Sequence, residues 1–134
     1  MADAEEAQAP ERISDAEHAV MEALWQQAPL SATEVAEAVE ERGWGLATVK
    51  TLLSRLAAKR AVTTEADGRR FLYSPAIART DYVEGESRRL VDRLFGGRAA
   101  PLFAHLAEAE ALDEADIAEI EALLATLKDR GDRA

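Results

Sequence analysis

Apolar residues recur along this chain at spacings of three and four, give way once to alternation, and then return to the wider spacing. The first run, Val20, Met21, Leu24 and Trp25, lies on one side of a helix. Ser14 with Glu17 three residues on has the pattern of a capping box, so this helix opens at Ser14, and Pro29 ends its region. A second box, Ser31 with Glu34, opens a shorter helix whose buried side is Val35 and Val39 and which Gly43 stops. Gly45 is an acceptable N-cap for the third segment, GLATVKTLLSRLAAKRAV, from Gly45 to Val62. On a helix advancing about 100° per residue, Val49, Leu52, Leu53 and Leu56 form one apolar stripe. The opposite side carries Ala47, Thr51, Ser54 and Ala58, with Thr48 and Arg55 on one flank and Lys50 on the other.

After Val62 the period falls from 3.6 to 2. Val62–Glu65 and Arg70–Ser74 read as short strands around Ala66-Asp67-Gly68-Arg69, in which Asp-Gly is a hairpin signal, and Pro75 closes the second strand. Two helices, a third with two unlike faces, and a hairpin give the order of a helix-turn-helix with a wing. From Thr80 the helical spacing returns through Tyr82, Leu90, Val91, Leu94 and Phe95 until Gly96-Gly97 interrupts it. Pro101–Leu106 makes one short helix, and Asp113 caps a last one with a seam of Ile117, Ile120, Leu123, Leu124 and Leu127. These helices carry much apolar surface with little chain left to cover it. A second copy is the simplest cover, since a two-fold axis sets each seam on the other, with Leu90, Leu94, Phe95, Ile117, Ile120, Leu123, Leu124 and Leu127 as dimerisation residues. A private monomeric core is the alternative. The expected architecture is mainly α with a small β-hairpin wing. Residues 1–12 form a flexible tail, residues 13–76 a winged helix-turn-helix DNA-binding domain, and residues 79–130 a helical dimerisation domain.

A net charge of −10 over 134 residues argues against a nucleic-acid partner when taken as an average. Its distribution changes that picture. Residues 1–47 carry 2 basic and 11 acidic side chains, residues 48–98 carry 11 and 6, and residues 99–134 carry 3 and 9. A basic middle between acidic ends is the footprint of a local polyanion site. The DNA-contacting candidates are therefore Thr48, Lys50, Thr51, Ser54 and Arg55 on the third helix, with Arg69 and Arg70 on the wing. The plainer reading of the same residues is a solvated basic face and a hairpin kept soluble.

Other chemistry finds little support. Without Cys there is neither a disulfide framework nor a thiolate metal site, and His18 has no second imidazole at ligand spacing, so no metal is expected. There is no Gly-rich phosphate loop and no nucleophile–base pair that periodicity brings together, so neither an enzyme nor a cofactor is expected. The N-terminus is polar and acidic, and no apolar run approaches the roughly 18 residues of a membrane span. The expectation is a cytoplasmic protein without membrane insertion. Winged helices also serve as protein-interaction modules, and an acidic one suits a basic partner; the acid-free outer face of the third helix counts against that use.

The order Glu17, Val20-Met21, Leu24-Trp25, then Ser31-Ala32-Thr33-Glu34-Val35, then Thr48-Val49-Lys50-Thr51-Leu52-Leu53 with Arg55-Leu56 and Lys59, then Tyr73 and Phe95-Gly96-Gly97, resembles the penicillinase-repressor (BlaI/MecI) family. The likeness runs from about Ile13 to Leu127. Its central block is specific, whereas the C-terminal helices match in pattern more than in identity. The resemblance implies a homodimeric winged-helix repressor that binds a palindromic operator in double-stranded DNA, joined through its C-terminal helices. It places Thr48, Lys50, Thr51 and Arg55 at the DNA. Copper-responsive members carry paired cysteines near the C-terminus, which this chain lacks. In staphylococcal members induction involves cleavage at an Asn-Phe bond. The corresponding pair here is His105-Leu106, which keeps a regulatory protease among the candidate partners.

Overall fold

The computed structural model describes residues 12–133, so the expected tail lies outside the described residues except for Arg12. Three helices and a three-stranded sheet make the first of two compact units, which ends at Val83. Helix α1 is Asp15–Gln26, strand β1 Leu30–Ser31, helix α2 Ala32–Ala38, helix α3 Leu46–Ala58, strand β2 Val62–Asp67 and strand β3 Arg70–Pro75. Both capping boxes form. Ser14 Oγ accepts from the Glu17 N–H while a Glu17 carboxylate oxygen accepts from the Ser14 N–H, and Ser31 and Glu34 repeat the arrangement. Between α2 and α3 a single 3-10 turn, Glu40–Arg42, ends on Gly43 with φ +74°, which a residue without Cβ adopts at little cost.

The core is built from the faces that periodicity assigns: Val20, Met21 and Leu24 of α1, Val35 of α2, Val49, Leu52, Leu53 and Leu56 of α3, with Val39, Leu30, Ala61 and Val62. Trp25 is half-buried at its edge, and its indole N–H donates to the Ile77 carbonyl at 2.9 Å. Close by, the His18 ring stacks on Tyr82 with centroids 5.5 Å apart, and Arg79 makes a two-pronged ion pair with Glu22 at 3.0 and 3.1 Å.

Three features depart from the sequence reading. The third helix covers only part of the Gly45–Val62 segment. It stops at Ala58, because Arg60 takes a left-handed φ of +66° and the N–H groups of Arg60 and Ala61 bond back to the carbonyls of Ala57 and Leu56. This is the backbone pattern by which glycine usually ends helices, made here by an arginine. Ala66 and Asp67, expected in the hairpin loop, belong to β2. The register pairs Asp67 with Arg70 and leaves only Gly68-Arg69 to turn, with Gly68 at φ +63° in the first central position, as a type II′ connection requires. Finally, the sheet has a third member. Strand β1 pairs antiparallel with β3, Leu30 opposite Tyr73 and Ser31 opposite Leu72, which gives the order β1-β3-β2.

The second unit begins at Glu84 and comprises most of helix α4 (Arg79–Phe95), then α5 (Ala100–Glu108) and α6 (Glu114–Arg133). Asp113 and Asp116 cap α6 reciprocally, each side chain accepting from the other's N–H. Among the described residues the buried apolar side chains all lie between Ile13 and Val62, so this unit has no sealed core of its own. No helix among the described residues is long and apolar enough to cross a membrane.

Candidate nucleic-acid interface

Helix α3 buries Val49, Leu52, Leu53 and Leu56, packs Ala57 against the core, and turns its other residues outward. Thr48, Lys50, Thr51, Ser54 and Arg55 are all exposed, and the helix contains no acidic residue. Unlike α1 and α2, it has no acid in its first turn and no side-chain cap at Gly45. Among the described residues neither Lys50 nor Arg55 has an ion-pair or hydrogen-bond partner, so both charges are available to a ligand. The Thr51 hydroxyl donates to the Ala47 carbonyl at 3.1 Å. Its proton is thus engaged within the helix, and its lone pairs suit a donor such as the exocyclic amine of adenine or cytosine.

The two wing arginines, equivalent by sequence, differ in the structure. Arg70 Nε lies 3.0 Å from an Asp67 carboxylate oxygen, whereas Arg69, at the turn itself, has no partner among the described residues. A backbone hydrogen bond from Ser31 is the main cause of the lowered pKa of the Glu34 carboxyl, and the charge of Arg70 adds to the lowering. Arg69 is the freer cation of the two.

Behind the interface sits a contact that periodicity does not announce. Glu17, only 1% exposed, receives the Lys59 ammonium at 2.6 Å, and the same ammonium donates to the Arg12 carbonyl at 3.0 Å. Burial pushes the Glu17 carboxyl up, but the hydrogen bonds from Lys59 and Ser14 and the charge of Lys59 outweigh it, and the net shift is downward. Lys59 caps the C-terminal end of α3, so the pair ties that end to the start of α1. Sequence spacing shows Glu17 only as a capping-box residue; nothing local links positions 42 residues apart.

In the second unit Leu94, Ile117, Leu123, Leu124 and Leu127 are exposed, while Leu90, Phe95 and Ile120 are half-buried. A groove of about 570 Å³ runs between α5 and α6, lined by Ala100, Phe103, Ala104, Ile117, Ile120 and Leu124 among others. His105 and Leu106 lie inside α5, the His105 ring 5.6 Å from that of Phe95.

The chain is similar in sequence to known proteins. The penicillinase repressor of Bacillus licheniformis is 31% identical over 120 residues, which cover 89% of this chain and 94% of that protein. The transcriptional regulator BlaI of Mycobacterium tuberculosis is 37% identical over 123 residues, covering 83% of this chain and 86% of that one. Among solved structures, the DNA-binding domain of the repressor BlaI is 36% identical with a TM-score of 0.48, covering 53% of this chain and 88% of that chain. The likeness extends through α3, the hairpin and the C-terminal helices alike: residues 13–126 match the family model described as Penicillinase repressor, and the chain belongs to that family.

Proposed function

We propose that this protein is a transcriptional repressor that binds a palindromic operator as a homodimer, with α3 in the major groove and the wing on adjacent backbone. One observation carries the reading. In a chain of net charge −10, the exposed part of α3 holds small residues, hydroxyls, unpaired cations and a single large apolar side chain, Leu46, and no acid. A helix shaped this way approaches a polyanion closely and offers hydrogen bonds to base edges. In this reading residues 13–76 form the DNA-binding domain and residues 79–130 the dimerisation domain. Membership in a family of repressors and the exposed seam Leu94, Ile117, Leu123, Leu124 and Leu127 support the dimer. The protein then acts in the cytoplasm. A regulatory protease cutting at His105-Leu106 would need α5 to open there, since a helical backbone does not fit an extended protease cleft.

The test compares the duplex upstream of the protein's own transcription unit with random duplex at two salt concentrations. Preference for the upstream DNA is expected. Lys50→Ala should weaken all duplexes alike and reduce the salt slope by about one unit, the signature of one lost phosphate contact. No preference at any salt, or an unchanged affinity and slope in Lys50→Ala, would refute this docking and favour a protein-interaction module.

A further inference from the structure

Leu46 is an anomaly on α3. Every other large apolar side chain of that helix is buried, yet Leu46, at its first position, is 41% exposed. The core has no use for its outer half. It stands one turn before Lys50 on the same flank of the helix, and the Cα–Cβ bond of a helical residue tilts toward the N-terminus, so Leu46 leads Lys50 toward whatever the start of α3 meets. Its exposed neighbours Ala47 and Thr48 are small and do not screen it.

We infer that Leu46 reads sequence by contacting the C5-methyl group of a thymine. The inference rests on the docking proposed above and adds to it. The N-terminal residues of a recognition helix are those that reach base edges. On those edges the major groove carries one apolar group, the thymine methyl; every other feature is a hydrogen-bond donor or acceptor. Leucine can satisfy none of those. Facing a cytosine amine or a guanine carbonyl it would strip water and return nothing, so it discriminates against those bases as well as favouring thymine. Leu46 and Lys50 then act as a pair one turn apart, the apolar side chain specifying and the cation holding the phosphate backbone beside it.

The test begins with selection of preferred duplexes from a random pool by the full-length protein. Each thymine of the selected site is then replaced, one at a time, by deoxyuridine, which removes the methyl group and nothing else. Wild type should lose about threefold to fourfold in affinity at one thymine of each half-site, the effect of one methyl no longer removed from water. Leu46→Ala should bind the thymine duplex more weakly than wild type and be indifferent to the same replacement. Leu46 lies outside the core, and an unchanged urea midpoint in Leu46→Ala would verify that the fold is intact. A selected site without thymine, a wild type indifferent to every replacement, or a Leu46→Ala variant that remains as sensitive as wild type would overturn the inference. Lys50→Ala, measured in parallel, separates the two claims. If it still weakens binding and lowers the salt slope while no methyl effect appears, Leu46 alone is misassigned; if it does nothing, the docking itself fails.

Discussion

Removing either member of the Glu17–Lys59 pair should destabilise the DNA-binding unit, but by unequal amounts. The Glu17 side chain is 2% exposed and the Lys59 side chain 21%. Breaking a buried ion pair by deleting one partner costs about 3–5 kcal/mol when the survivor is trapped without solvent. Lys59→Met leaves the carboxylate trapped, with the Ser14 N–H as its remaining donor, so about 3 kcal/mol is expected. Glu17→Gln retains an oxygen for that N–H and leaves an ammonium that can swing into water, so about 1–2 kcal/mol is expected. Urea denaturation of the three proteins measures this directly. The pH dependence sharpens the test. The folded-state pKa of Glu17 is depressed below its ordinary 4.5, so the pair's contribution is fully present above that value and disappears as pH falls through the lower folded one. In Lys59→Met the hydrogen bond and the charge of the cation, both of which lower the pKa, are gone. The carboxyl should then titrate higher than in wild type, and the cost of its trapped charge should fade as pH drops. The stability gap between wild type and Lys59→Met should therefore be smaller at pH 4 than at pH 7. A gap that does not change between those values, or a Glu17→Gln variant less stable than Lys59→Met, would show that the carboxylate is not held by the lysine as described.

Three further outcomes follow from particular residues. Arg60→Gly should stabilise the protein by up to about 1.5 kcal/mol, since a left-handed non-glycine residue costs about 1–2 kcal/mol and glycine gives back about 0.5–1 in chain entropy; a shifted urea midpoint reads it, and a destabilised variant would contradict it. Arg69→Ala should reduce affinity for random duplex more than Arg70→Ala, because Asp67 already engages Arg70; equal losses in filter-binding titrations would remove the distinction. Leu124→Asp should leave a folded monomer with little operator affinity. The seam side chains are worth about 1.5–3 kcal/mol each when buried and count twice across a two-fold axis. Sedimentation at micromolar concentration decides it, a variant that stays dimeric being the contrary result.

What could be read from the chain alone is what neighbouring residues settle among themselves. The two capping boxes join residues three apart, the stripe Val49, Leu52, Leu53 and Leu56 lies on successive turns of one helix, and Gly68 permits the hairpin turn; each was legible because its partners are close in the chain. The exposed, acid-free face of α3 followed from the same periodicity. Strand β1 was not legible, being two residues long and existing only because β3, some forty residues later, offers it hydrogen bonds. Nor was the end of α3, where Arg60 adopts a conformation that sequence associates with glycine, nor the union of Glu17 with Lys59, nor the hydrogen bond from Trp25 to Ile77. Side-chain periods report which face of an element is apolar, and so they located the candidate DNA surface. They carry no information on which distant backbone or charge will complete it, and that was decided only when the chain closed on itself.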